Sequence, residues 1–279
     1  MALYITSLNS GSNGNCYYIG NDTEAVLVDA GISCREIEKR MSKLQLPMDL
    51  VKAVFISHEH VDHIRGVETL AKKYKLPVYI TPAVLKNSSL VLEKGFVKSF
   101  EANKPVTIGQ LAVTAFVKLH DAIEPYSFIV EGNGVRIGVL TDIGKPCAEV
   151  IHYFKQCHAA FLETNYDEQM LEQGNYPVHL KKRIRGGKGH LSNLQALQLF
   201  IRHKPEFMSH LILSHLSKDN NSPELVHELF IKHADKTNII VASRYKETPV
   251  YCISDNGNKF LRIKETSLRL EAVQMSLFD

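Results

Sequence analysis

The sequence predicts an α/β protein, and three observations carry that expectation. Short apolar runs rich in β-branched residues recur along the chain, bounded by Gly, Asn, Asp or Ser. Stretches with helical spacing of apolar residues fall between them. Metal-ligand residue types gather where predicted strands end, above all in Ser57-His58-Glu59-His60-Val61-Asp62-His63. With 279 residues, 44% hydrophobic and 23% charged, the chain has an ordinary globular composition and can bury one large core or two smaller ones. A formal charge of +3 names no partner by itself. The five cysteines are odd in number and form no Cys-x-x-Cys pair, so they read as reduced thiols of a cytoplasmic protein. Neither a signal peptide nor a membrane-spanning run is expected.

Taken in order, Leu3 to Leu8 reads as a strand, followed by the turn-rich Asn9-Ser10-Gly11-Ser12-Asn13-Gly14-Asn15, whose plainest role is a hairpin loop. Strands Cys16 to Ile19 and Ala25 to Asp29 come next, then an amphipathic helix from Ser33 to Leu44 with Ser33 as its N-cap. Val51 to Ile56 is a buried strand. Alternate residues of extended chain face the same way, so His58 and His60 just beyond it can bite one ion together. A helix over Ile64 to Lys73 then swings Asp62 and His63 to a neighbouring point, where they can hold a second ion. For most of the thirteen histidines a place in the core or on the surface suffices. Four ligand types within six positions after a strand do not fit that plain reading.

Val78 to Thr81 is a short strand, and Val106 to Val117 reads as strand, turn at Gly109, strand, delivering His120 at its end. Tyr126 to Val130 and Val135 to Leu140 form a hairpin about Gly132-Asn133-Gly134, where Asn-Gly suits a type I′ turn. That hairpin ends at Asp142, whose two oxygens can each take one ion. The strand Ala159 to Leu162 ends in Glu163. A basic segment, Lys181 to Gly189, leads into His190 and a helix over Leu194 to His203. Leu211 to Ser214 is a buried strand ending at His215, and strands Ile239 to Ala242 and Val250 to Ile253 close the compact part. One domain over residues 1–264 and a tail over 265–279 are expected.

His58-x-His60-x-Asp62-His63 after a buried strand resembles the signature of metallo-β-lactamase fold hydrolases. The resemblance spans residues 3 to about 220 and is strongest to the YycJ/WalJ-like branch, related to tRNase Z-type nucleases. It is carried by Ser10 to Asn15, His120 to Pro125, Glu163-Thr164-Asn165-Tyr166, Gly189 to Asn193 and Leu213 to Asn221. It implies a four-layer αββα sandwich, two mixed sheets face to face with helices outside. It further implies two divalent ions, the first held by His58, His60 and His120, the second by Asp62, His63 and His215, with Asp142 bridging and Asp29 supporting the ligands by hydrogen bonding. Nitrogen and carboxylate ligands suit zinc or manganese. Two such ions roughly 3.5–4 Å apart would share a hydroxide as nucleophile.

The same resemblance implies catalytic roles for Asp62, Glu163 and His190, Glu163 orienting a His190 that protonates the departing oxygen, and it implies DNA exonuclease activity, with RNA left open. Too little chain separates Asp142 from His215 for a large inserted cap, and no long Gly/Pro-rich arm is present, which disfavours transfer-RNA processing. Lys181, Lys182, Arg183, Arg185 and Lys188 fit a phosphate track beside His190, or else a solvated loop. Gln274, Met275, Leu277 and Phe278 resemble the short motif by which bacterial replication and repair proteins dock on the DNA sliding clamp. Two further function classes stand beside the nuclease. One is a small-molecule hydrolase, such as a glyoxalase II-like thioesterase or a lactonase, which does not need the Glu163 and His190 pair. The other is a non-catalytic adaptor acting through its tail, disfavoured by a full set of ligand residues.

Overall fold

Apolar strands that are buried on both faces must be covered on both faces, and the computed structural model, which describes residues 2–255, satisfies this with four layers. Strands β1 (Ala2–Asn9), β2 (Cys16–Gly20), β3 (Ala25–Val28), β4 (Val51–Phe55), β5 (Val78–Tyr79) and β6 (Val97–Lys98) follow one another across the first sheet. The second sheet runs from β7 (Pro105–Ile108) through β8 (Leu111–Val117), β9 (Tyr126–Gly132), β10 (Val135–Leu140), β11 (Ala159–Glu163) and β12 (His210–Ser214) to β13 (Asn238–Val241). β14 (Tyr251–Ser254) returns to the first sheet and pairs antiparallel with β1. Both sheets are mixed, as expected: β3 to β6 pair in parallel beside antiparallel β1 to β3, and β10 to β13 in parallel beside antiparallel β7 to β10.

Alternation within the strands builds three apolar layers. Tyr17 and Ile19 of β2 point between the sheets with Phe55, Phe128, Ile137 and Phe161, while Cys16 and Tyr18 point outward. The outer face of the first sheet is covered by α1 (Cys34–Lys43), α3 (Val67–Tyr74) and α4 (Pro82–Asn87), through Ile37, Met41, Val67, Leu70 and Val84. Between α1 and α3 lies the one-turn helix α2 (Val61–Ile64). The second sheet is covered by α5 (Ala148–Phe154), α8 (Asn193–His203) and α9 (Pro223–Ile231), through Val150, Phe154, Leu197, Phe200, Val226 and Phe230. Short helices α6 (Glu168–Gln173) and α7 (Val178–Arg185) fill the connection between β11 and α8.

Helix starts follow capping chemistry. Ser33 accepts from Glu36 N as expected, and Ser192 with Gln195 makes a complete capping box on α8. Thr81, expected at a strand end, instead caps α4 ahead of Pro82, because its hydroxyl accepts from Val84 N. The expected helix over Ile64 to Lys73 is also corrected: Asp62 and His63 already lie in α2, and the longer helix begins at Val67. The Asn133 and Gly134 turn has φ of +55° and +76°, as a type I′ turn requires.

Candidate metal centre

Parallel strands put their C-terminal ends on one edge, and that is where the chemistry-bearing residues collect. Asp29 follows β3, His58 to His63 follow β4, His120 follows β8, Asp142 follows β10, Glu163 ends β11 and His215 follows β12. Asp29, Asp142 and His215 have φ of +61°, +55° and +58°, so three strands end in a left-handed residue at the site itself. Such conformations cost about 1 kcal/mol or more outside glycine.

Four of the five candidate ligand histidines are oriented from behind. Asp29 Oδ1 accepts from Ser57 N at 2.8 Å, and its Oδ2 accepts from Ser57 Oγ at 2.9 Å and from His63 Nδ1 at 2.7 Å. His58 Nδ1 lies 2.8 Å from Ser57 Oγ, His120 Nδ1 lies 3.0 Å from Gly189 O, and His215 Nδ1 lies 3.3 Å from Glu163 Oε1. With Nδ1 engaged in all four rings, Nε2 is left for the centre. His60 instead offers Nδ1, 3.0 Å from His58 Nε2.

The inward atoms form two groups. Ligand atoms of His58, His60 and His120 lie within 4.8 Å of one another, as do those of Asp62, His63 and His215. Asp142 stands between the groups, its Oδ2 3.2 Å from His63 Nε2 and its Oδ1 3.5 Å from His215 Nε2 and 3.9 Å from His120 Nε2. His120 Nε2, His215 Nε2 and Asp142 Oδ2 are buried and lack hydrogen-bond partners among the described residues. Buried polar atoms are rarely left so; donors of this kind converging on one point fit a divalent cation. Burial opposes charge on Asp142, yet His215 and His63 hold its carboxyl well below the usual range. Burial alone would also lower His215, but Asp142, Asp62 and Glu163 raise it to about 10. Burial pushes His120 down to about 4 and lowers His58. The carboxylates thus demand positive charge, which a metal ion supplies.

Glu163, Asp142, His190 and His215 also present atoms within 4.8 Å of one another. Glu163 is spoken for, however. Its Oε1 faces His190 Nδ1 at 2.7 Å and His215 Nδ1 at 3.3 Å, and its Oε2 accepts from Ile143 N at 2.6 Å and Leu191 N at 3.2 Å. Four N–H partners saturate a carboxylate, which suits an orienting group rather than a ligand. Burial would raise its pKa, but His190 and the bonds it makes bring it to about 2.

Several contributors stand beyond the expected ligand set, two of them in segments that carry the family resemblance. Asn15 Nδ2 lies 3.3 Å from Asp62 Oδ2, and Asn165 Nδ2 donates to His215 O at 2.9 Å. Lys118 is buried and donates to Thr141 O at 2.8 Å, a cation below the ligands. Alternation along β8 gives no signal for it: Leu111, Val113 and Ala115 face the core, which would turn Lys118 to the opposite face with Phe116. Of the basic run, Lys181, Lys182, Arg183 and Arg185 lie on α7, not on a loop. Arg183 pairs with Asp121, next to His120, and Arg185 pairs with Glu172. Lys188 lies beyond the helix. Gln274, Met275, Leu277 and Phe278 lie outside the described residues.

Residues 24–215 match the beta-lactamase superfamily domain. The chain is 34% identical over 230 residues to the exodeoxyribonuclease YycJ of Bacillus anthracis, covering 81% of this chain and 86% of that protein. It is 31% identical over 244 residues to the exodeoxyribonuclease WalJ of Streptococcus pneumoniae, covering 86% and 91%. The metallo-beta-lactamase fold protein YhfI from Bacillus subtilis superposes with a TM-score of 0.69 at 16% identity, over 90% of this chain and 100% of that one, a likeness of fold. Among the described residues no helix is long and apolar enough to cross a membrane.

Proposed function

The chain belongs to the beta-lactamase superfamily, with YycJ and WalJ as relatives, and from that membership we propose that it is a metal-dependent phosphodiesterase degrading nucleic acid, DNA foremost, in the manner of an exonuclease. The observation that carries the reading beyond metal-dependent hydrolysis is the Glu163 and His190 pair, set 3.8 Å from Asp142 through His190 Nδ1. Two divalent ions, zinc or manganese, fit the donor set: His58, His60 and His120 for one, Asp62, His63 and His215 for the other, with Asp142 common to both. Ions so held would lower the pKa of a water towards neutrality, making it the nucleophile, and would offset phosphate charge.

The side chains supply the rest. Glu163 fixes the Nδ1–H tautomer of His190 and stabilises its imidazolium, leaving Nε2 free to deliver a proton. His190 is 21% exposed and Glu163 is buried, so the donor reaches substrate while its orienter is shielded. A sugar alkoxide is a poor leaving group and benefits from that proton; a thiolate does not need it. The small-molecule reading therefore leaves this pair without work. Lys182 and Lys188 are the members of the basic run best placed to meet phosphates, since Arg183 and Arg185 already pair with Asp121 and Glu172 and Lys181 donates to Glu172 O.

The test is degradation of labelled single- and double-stranded DNA and RNA by manganese- or zinc-loaded protein, beside a thioester. Metal-dependent loss of nucleic acid is expected. Thioester turnover with nucleic acid untouched would contradict the reading. The clamp motif, a reading of sequence alone, is tested by deleting residues 274–279, which should abolish clamp binding in a pull-down.

A further inference from the structure

The loop after β13 carries Arg244, Tyr245 and Lys246, which take no part in the metal centre yet sit against its border. Ser10 N donates to Ser243 O at 3.2 Å and Asn13 Nδ2 donates to Arg244 O at 2.8 Å, stitching this loop to the turn before β2. That same turn reaches the centre through Asn15, beside Asp62 and His63, and through Ser10 Oγ, which accepts from His215 N at 2.7 Å. At Gly11, φ is +137° and an added Cβ would lie 3.4 Å from Arg244 Cβ and 3.5 Å from Leu216 O. The turn is thus wedged between the Arg244 loop and the ligand-bearing end of β12.

On the outer side of the turn, Arg244 Nη2 donates to Ser12 Oγ at 3.1 Å, while Nη1 is shielded from solvent and meets no hydrogen-bond partner among the described residues. Arg183 and Arg185 have carboxylate partners; Arg244 pairs with none among the described residues. A guanidinium with no carboxylate partner keeps its positive charge for an anion, here at the exposed edge where Nη2 meets Ser12. Tyr245 beside it is 72% exposed, although its backbone is fixed by Arg40 Nη2 donating to Tyr245 O at 3.3 Å. On the other side of the turn Arg65 Nη1 donates to Asn13 O at 3.0 Å, adding a second guanidinium. A phosphate-seeking group beside an exposed ring on a fixed backbone matches one phosphate and one base of a single strand. Ser12 is three residues from Asn15, so at most about 10 Å of backbone separates Ser12 from the residue that contacts Asp62 and His63, within reach of a few nucleotides.

We propose that Arg244 and Tyr245 form a nucleotide subsite at the rim of the metal centre, Arg244 with Ser12 taking a backbone phosphate and Tyr245 stacking a base of single-stranded nucleic acid. The subsite rests on the nuclease reading. Its test is binding of metal-loaded protein to fluorescein-labelled, cleavage-resistant phosphorothioate 12-mers of DNA and RNA, followed by anisotropy across a salt series. Arg244→Ala and Tyr245→Ala each raise Kd about tenfold, the scale of one stacked base or one charged contact. Arg244→Ala lowers the slope of log Kd against log salt by about 0.7, one phosphate's share, whereas Tyr245→Ala leaves the slope unchanged. Arg244→Lys and Tyr245→Phe recover most of the binding. The polymer bound more tightly is the one the subsite serves. Both alanine variants within twofold of the parent, with the parent binding, overturn the subsite alone. A parent protein that neither binds nor cuts either polymer overturns the nuclease reading, and the subsite with it.

Discussion

Replacing Asp29 by Asn isolates what its charge does for the metal centre. Asn tolerates the left-handed backbone that Asp29 adopts at φ +61°, and it keeps the shape of a fully buried side chain. It cannot keep the hydrogen bonds. One oxygen of Asp29 serves Ser57 N and the other serves Ser57 Oγ and His63 Nδ1. If the amide nitrogen faces His63, it meets an N–H; if it faces the backbone, it meets Ser57 N–H. Either way one buried donor loses its acceptor, at a cost of about 1–3 kcal/mol. Expressed through metal affinity this is roughly a ten- to hundredfold loss, the range found when groups supporting ligands are removed. With the amide nitrogen towards His63, that ring is released and the loss falls on the position shared with Asp62 and His215; with it towards Ser57 N, the loss reaches His58 and His63 through the displaced Ser57. The assay is competition with a chromophoric chelator, fitted for two sites, beside the parent. Unchanged affinity at both positions would refute the argument that Asp29 holds His63 for metal.

Three further outcomes follow from the same geometry. Asp142→Ala loses metal and activity together, because Asp142 faces both ligand groups; elemental analysis and turnover measured on one preparation check it. Glu163→Gln retains metal but lowers turnover by about 10²-fold or more, since a neutral amide supports the imidazolium of His190 poorly, and kinetics at matched metal content check it. Gly31→Ala would place a Cβ 1.7 Å from Asp62 O, so α2 must shift; a cost of about 2 kcal/mol or more, read as a fall of at least about 4 °C in Tm, is expected from thermal unfolding.

What was legible in the sequence divides along physical lines. Ala53 to Phe55 of β4 and Leu211 to Leu213 of β12 are unbroken apolar stretches because the sheets are covered on both faces there, and such stretches need no partner to be recognised. The helix boundary near the motif was misplaced because α2 is a single turn, shorter than any window in which helical periodicity shows. The helices α4, α5 and α6 are missed for a related reason: six or seven residues make barely two turns, too few for the helical period to show. On α7 the basic residues mask what little apolar spacing there is. At the site, ligand types were visible because they cluster at strand ends. The groups that orient them were less so, since Gly189 to His120 and Asn165 to His215 are contacts made only by the fold. Asp29 entered through family resemblance, and its hydrogen bonds supply the physical reason.

The central claim is that a metal centre and a proton donor cooperate to break phosphodiester bonds, and His190→Ala tests it most directly. Parent and variant, loaded to equal metal content, are compared on labelled single-stranded DNA under single-turnover conditions. His190 lies outside both ligand groups that flank Asp142, so the variant should retain its metal while its cleavage rate falls by about 10²- to 10⁴-fold. Full metal content with an undiminished rate of DNA cleavage would contradict the account.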